Sequence, residues 1–303
     1  MSSGIVKQIS LEDEYSKDTG IKPEDVQRLR EWINSQPHLP GEHITDLDLI
    51  LTYHCCNLST EVSKQLLDLN LTLKTLFTNL FKDRFCKDTI VRTLNTISIT
   101  PLPKRSRDGD AVIYIKLIDP NPKNFITIDV IRTFLMIIEL WQYEEGTWPG
   151  LILIMDMTYI GVGYYSCFEF AGFQNFFYYL QEATLFKVKG IHFVQVPPIM
   201  DVITSLLRPF VKNLDDYFHI HHGGYDSINK LCPIEALPKD VGGSYMSIQD
   251  CKDKVIDKLK ANSAFFEAES LKRVCESRRP GKPKTFADFF GGVEGSFKKL
   301  DID

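Results

Sequence analysis

The sequence predicts an α/β protein with a mixed sheet and helical crossovers, preceded by a small all-helical unit. Three observations carry this reading. Short runs rich in β-branched and aromatic residues, such as Ala111 to Leu117 and Leu151 to Asp156, recur with turn residues at their ends. Segments between them place apolar residues three and four apart, the spacing of a helix with one buried stripe. The strand runs are almost continuously apolar, which fits a sheet covered on both faces.

The chain divides into four stretches. Residues 1–20 are polar and are expected to be a flexible N-terminus. Residues 21–94 read as a helical domain. Its first helix starts at Lys22-Pro23-Glu24-Asp25 and buries Val26, Leu29 and Ile33 before Pro37 stops it. A second runs from Asp46 to Cys55. A third, from Ser59 to Leu69, opens on the cap sequence Ser59-Thr60-Glu61-Val62, and helical character continues from Leu73 to Phe81.

Residues 95–250 form the sheet domain, with the pattern changing after Pro101-Leu102-Pro103. The strand Ala111 to Leu117 ends at Asp119-Pro120. A helix from Thr127 to Glu145 follows, then the strand Leu151 to Asp156 and a helix from Ser166 to Ala183. The next strand, Lys187 to Val196, is closed by Pro197-Pro198, neither of which can extend a ladder. Tyr217 to His221 is the last strand-like run. Residues 251–303 are a C-terminal amphipathic helix and a tail that is basic from Glu276 onward, then Gly-rich, expected on the surface.

Between the last two strands lies an apolar helix. Ile199, Val202, Ile203, Leu206, Leu207 and Phe210 make its stripe, and only Asp201 and Arg208 are charged. A short helix this apolar must be covered by protein, by a bound lipid or by a membrane.

A net charge of −5 excludes a global basic field, so no nucleic-acid partner is expected. Seven cysteines without a C-x-x-C spacing read as reduced thiols in a cytoplasmic protein. The longest apolar region, Ile160 to Leu180, is interrupted by Glu169, Gln174 and Asn175 and does not span a bilayer. His219, His221 and His222 crowd together, with His192 on a neighbouring strand. No carboxylate or thiol ligand pattern accompanies them, so no metal site is expected. Gly161-Val162-Gly163 lacks the third glycine of a dinucleotide loop, and no nucleophile elbow is present. Asp156, at the C-terminal end of its strand, is expected to brace the following loop. No cofactor and no catalytic residue is assigned.

Five segments, in order and spacing, resemble the CRAL-TRIO lipid-transfer proteins: Leu151 to Asp156, Phe186 to His192, Leu207 to Phe210, His221-His222-Gly223, and Leu237 to Gly243. The likeness extends to the N-terminal helical domain. It is greatest for the branch of the alpha-tocopherol transfer and retinaldehyde-binding proteins, and Gly292 to Leu300 is similar to the tails of insect members. The resemblance implies an apolar pocket between the sheet and a mobile gate helix, here Ile199 to Phe210, holding one lipophilic small molecule. The implied lining is Ile131, Phe134, Leu135, Ile138, Leu151, Met155, Phe176, Tyr179, Leu180, Val188, Ile191, Ile203 and Leu206. Ile199, Val202 and Phe210 become the peripheral membrane contact. Phe134 and Ile138 stand where tocopherol carriers tend to have small hydroxyl residues, which implies a drier pocket. Of the family's phosphoinositide-binding basic cluster, Lys187 and Lys189 persist, whereas Leu51-Thr52-Tyr53-His54 and Asn213-Leu214-Asp215-Asp216 stand at usually basic positions. The implied function is a cytoplasmic carrier of a tocopherol-, retinoid- or carotenoid-like ligand; the alternative is an adaptor that presents a phospholipid or sterol to a protein partner.

Overall fold

The structure, a computed structural model, describes residues 4–167 and 169–290. Its centre is one five-stranded sheet in the order β1 (Ile97–Pro101), β2 (Ala111–Leu117), β3 (Leu151–Asp156), β4 (Val188–Val194) and β5 (Phe218–Ile220). β1 and β2 are antiparallel, with Ile99 opposite Ile115; the other pairs are parallel, so the sheet is mixed. β1 escaped the sequence reading because helix α6 (Lys87–Thr96) runs into it without a turn residue. It is an edge strand, where Pro101 costs no ladder bond on the open side.

Successive side chains of a strand point to opposite faces, and here the faces have different covers. Ile113, Ile115, Leu153, Ile191 and Phe193 belong to the larger core, beneath α7 (Thr127–Glu145), α8 (Phe170–Glu182) and α9 (Met200–Leu207), with the short α10 (Leu214–Tyr217) leading into β5. Val112, Tyr114, Ile152, Ile154 and Val194 face the other way, under Ile228, Cys232, Ala236 and Leu237. Double burial explains the unbroken apolar strands.

The N-terminal helical unit contains α1 (Leu11–Ser16), α2 (Pro23–Asn34), α3 (Asp46–Cys55), α4 (Thr60–Leu76), α5 (Thr78–Phe81) and α6. Local chemistry sets its starts. Asp25 accepts from the Lys22 amide at 3.0 Å, and Thr45 and Asp48 form a reciprocal cap on α3. α4 continues past Leu69 although Asn70 and Thr72 interrupt its apolar pattern. Asn70 is buried and donates to the Tyr179 hydroxyl at 2.9 Å and the Ala183 carbonyl at 2.6 Å, so its tertiary partners meet the hydrogen-bonding demand that would break an isolated helix.

Both ends of the chain depart from the sequence expectation. The first twenty residues are not a loose extension within the described part. Val6 is in the main core, and Glu14, only 1% exposed, accepts from the Thr147 hydroxyl at 2.5 Å and pairs with Lys17 at 2.7 Å. Gly146 makes this possible, because a Cβ there would lie 1.8 Å from a Glu14 carboxylate oxygen. At the other end α11 (Ile248–Ala261) and α12 (Ser263–Ser270) are separate helices, and the basic stretch beyond them folds back onto the helical unit. Val274 enters its core, and Arg279 binds Asp68 at 2.8 Å. α13 (Phe286–Phe290) lays Phe290 against Phe77, ring centroids 5.9 Å apart. The tail segment Gly292 to Leu300 lies outside the described residues.

Candidate functional site

Between the sheet and its helical roof lies a cavity of about 190 Å³. Ile97 and Ile99 of β1, Ile115 of β2, Leu153 and Met155 of β3, and Ile191 and Phe193 of β4 form its floor. α7 supplies Val130, Ile131 and Phe134, α8 supplies Phe173, Phe176 and Phe177, and α9 supplies Ile203 and Leu207. The rings lock one another: Phe134 meets Phe176 edge-on at 5.8 Å, and Phe177 and Phe193 both contact Phe218, at 6.2 and 5.1 Å.

Among the described residues three polar side chains reach the wall, and each spends its polar atom elsewhere. The Thr127 hydroxyl donates to the Cys167 carbonyl, the Tyr164 hydroxyl to the Asp119 carbonyl at 3.2 Å, and the Cys167 thiol to the Pro122 carbonyl at 3.3 Å. The cavity therefore presents hydrocarbon and ring faces. Such a wall selects an occupant by shape and apolar area.

Of the thirteen residues expected to line one pocket, six do so here: Ile131, Phe134, Met155, Phe176, Ile191 and Ile203. Leu180 and Val188 line an adjacent cavity of about 210 Å³, which shares Phe177, Ile191 and Phe218 with the first. Leu135 and Ile138 border a separate cleft on the far side of α7, because that helix is apolar on more than one face and its 100° step carries them past the cavity; Tyr179 of α8 reaches the same cleft, where Asn70 of α4 donates to its hydroxyl. Leu151 is fully buried at the start of β3, one inward position short of the floor. Leu206 is half-buried, and Leu207 takes its expected place. The inward side of α9 is Met200, Ile203 and Leu207, so Ile203 stands as expected and Leu207 replaces Leu206.

The outer side of α9 carries Val202, 46% exposed, while Ile199 and Phe210 at its ends are half-buried. Exposed Tyr159, Val162 and Phe170 stand in and just after the β3–α8 connection, and Phe170 lies 6.2 Å from Phe210, ring to ring. Lys187 and Lys189 have different neighbours. The Lys187 ammonium donates to Asn57 in the helical unit at 2.6 Å, and the Lys189 stem covers Gly150. A register shift between β3 and β4, opposite Lys189, breaks the alternation that would have put both on one face.

The other polar groups that sequence reasoning singled out lie away from the cavity. His192 points to the opposite face of β4. Its Nδ1 is 2.9 Å from His221 Nε2, and its ring stacks on His219 at 4.6 Å. Burial, then the neighbouring His219 and His221, push its pKa down to about 3. His222 is exposed, and among the described residues no group of three or more His, Cys, Asp or Glu is arranged to hold a metal ion. Asp156 is a brace. It accepts from Tyr114 and Lys116 at 2.5 Å each, from Tyr225, and from the Thr158 amide and hydroxyl at 2.9 and 2.5 Å. Burial opposes its charge, but these donors hold its carboxyl below the usual range.

A mixed sheet roofed by helices thus encloses an apolar cavity and is fronted by a helical unit. Comparison with known proteins identifies this architecture. Residues 95–243 match the CRAL/TRIO domain, and residues 20–90 match the Pinta-like UBA domain. The chain belongs to the CRAL-TRIO family, and the relatives it is similar to include alpha-tocopherol transfer protein-like proteins. It is 27% identical over 249 residues to the alpha-tocopherol transfer protein-like protein of Mus musculus, covering 74% of this chain and 66% of the relative. For the Homo sapiens protein of that description the identity is 28% over 203 residues, 65% of this chain and 53% of the relative. Clavesin-1 of Xenopus laevis is 21% identical over 224 residues, 73% of this chain and 68% of the relative. The chain thus spans between about half and two thirds of the length of these relatives.

Proposed function

We propose that this protein is a carrier that holds one small hydrophobic molecule beneath α9 and exchanges it with membranes. The observation that carries this reading is the wall chemistry. An apolar cavity whose three polar side chains, among the described residues, all turn to backbone carbonyls suits a lipophile, and none of the three is left to activate a reacting bond. That is support for a carrier over an enzyme. A ligand burying ~400 Å² of apolar surface gains about 10 kcal/mol before ordering costs, ample for sub-micromolar binding. Phe177 and Phe218 separate the cavity from its neighbour, so a longer ligand takes both spaces when these rings turn aside.

The ligand class is tocopherol-, retinoid- or carotenoid-like; the names of the matched relatives support the first of these, and the apolar wall suits all three. Its membrane contact is the outer edge of α9 with Val202, flanked by Ile199 and Phe210 and extended by Tyr159, Val162 and Phe170. These side chains suit shallow insertion at a bilayer interface. Lys189 is free to add attraction to an anionic surface, while Lys187 is engaged by Asn57, so recognition of a particular phosphoinositide is weak.

The test is native mass spectrometry of the purified protein, with organic extraction and identification of what is released. One lipophile per chain supports the reading. Failure of the protein to bind retinoid, tocopherol and phospholipid probes alike overturns it.

A further inference from the structure

On the far side of α7 the structure holds a larger cleft, about 480 Å³, bounded by α3, α4, α7, α12 and the N-terminal segment. Its apolar wall includes Leu51, Leu135, Ile138 and Phe265. Its deep end is ionic and buried. Lys74 lies 3.1 Å from Glu139 and 3.3 Å from Glu269; Lys272 pairs with Glu269 and, at 2.8 Å, with Asp48; Arg84 pairs with Glu139. Each of the three carboxylates thus meets a cation, and the neighbouring Arg273 spends its guanidinium on the Glu269, Lys272 and Phe81 carbonyls, so no carboxylate or ammonium of the lining is left unpaired for an ionic occupant.

Two hydrogen-bonding positions remain open at this end. Glu139 Oε1 is buried without a hydrogen-bond donor, since Lys74 is near but not aligned with it. The Tyr179 hydroxyl accepts from Asn70 at 2.9 Å, and its own proton has no acceptor among the described residues. One acceptor and one donor, beside an apolar wall, match a group that both gives and takes a hydrogen bond. Residues 5–9 strap the opening: the Val6 amide donates to Asn262 Oδ1 at 2.8 Å and the Ile9 amide to the Tyr143 carbonyl at 3.0 Å.

We infer that this cleft is a second binding site, separate from the cavity under α9, for a neutral amphiphile with a hydroxyl end. The hydroxyl accepts from Tyr179 and donates to Glu139. The hydrocarbon body lies along Leu135 and Ile138, beneath the N-terminal strap. This inference does not depend on the carrier reading.

The experiment is calorimetric titration of the full chain with n-decanol, and with decanoate as the charged counterpart. The parent takes two equivalents of decanol, and decanoate is excluded from the cleft. Tyr179→Phe weakens one decanol site about tenfold and leaves the other unchanged, and Ala268→Phe, at the mouth, removes the same site. Saturating decanol slows exchange of the Val6 and Ile9 amides in the parent but not in Ala268→Phe. Thermal transitions of both variants close to that of the parent show that folding is intact. A parent in which no decanol site responds to both substitutions overturns the assignment, as does decanoate binding there as tightly as decanol; a single site that responds to both leaves it standing and counts against the carrier reading alone.

Discussion

Replacing Asp156 with Asn tests whether the sheet's most heavily hydrogen-bonded carboxylate is a brace. In the native protein the carboxylate collects five donors from Tyr114, Lys116, Thr158 and Tyr225, and Lys116, its one cationic partner among the described residues, has a side chain only 13% exposed. The substitution strands that ammonium and turns an amide toward hydroxyls that had been donating. Breaking one side of a buried pair costs about 3–5 kcal/mol, which for a domain of this size lowers Tm by roughly 10 °C. Urea unfolding and thermal scans of the parent, Asp156→Asn, Lys116→Met and the double variant give the coupling. We expect the double variant to recover part of the loss, because no charge is then left unpaired. A single-variant loss below about 1 kcal/mol, or fully additive losses, would refute the brace. The carboxyl is held below its ordinary range, so its contribution is present above that range and is lost as pH falls through the folded value.

Three further outcomes are expected. The Gln181 amide joins α8 to the end of the α9 segment, donating to the Phe210 carbonyl at 3.2 Å and accepting from the Lys212 amide at 2.8 Å; Gln181→Leu should raise ligand exchange rates about fivefold, and an unchanged rate in a stopped-flow assay removes this latch. Val202→Asp should slow transfer between liposomes while leaving binding in solution nearly intact, since Val202 is exposed; equal loss of both would mean damage to packing. His192 titrates near 3 when folded against an ordinary 6.5, so its contribution is complete above about pH 6.5 and is lost as pH falls toward 3. After discounting for partial exposure, we expect stability to fall by roughly 1 kcal/mol between pH 7 and pH 5 on this account, and a His192→Gln variant with an unaltered stability–pH curve contradicts that assignment.

Local sequence determined the elements of this protein where local physics suffices. The helix Thr127–Glu145 and the strand Leu151–Asp156 have the bounds that their periodicity and flanking turns predict, and the cap at Thr45–Asp48 starts α3 through bonds made within three residues. The family was legible as well, because its motifs are contiguous strings. Tertiary structure decided everything that depends on phase and distance. Periodicity says which residues of a helix share a face, but not which neighbour that face meets. On α7, apolar in several directions, Ile131 and Phe134 reach the cavity whereas Leu135 and Ile138 turn to the cleft. On α9 one 100° step exchanges Leu206 for Leu207. Charged residues at the ends of the chain read as solvated because their partners are remote in sequence: Glu14 finds Thr147, and Arg279 finds Asp68. A buried charge is held by the partner it meets after folding, and no local pattern of residues announces that meeting.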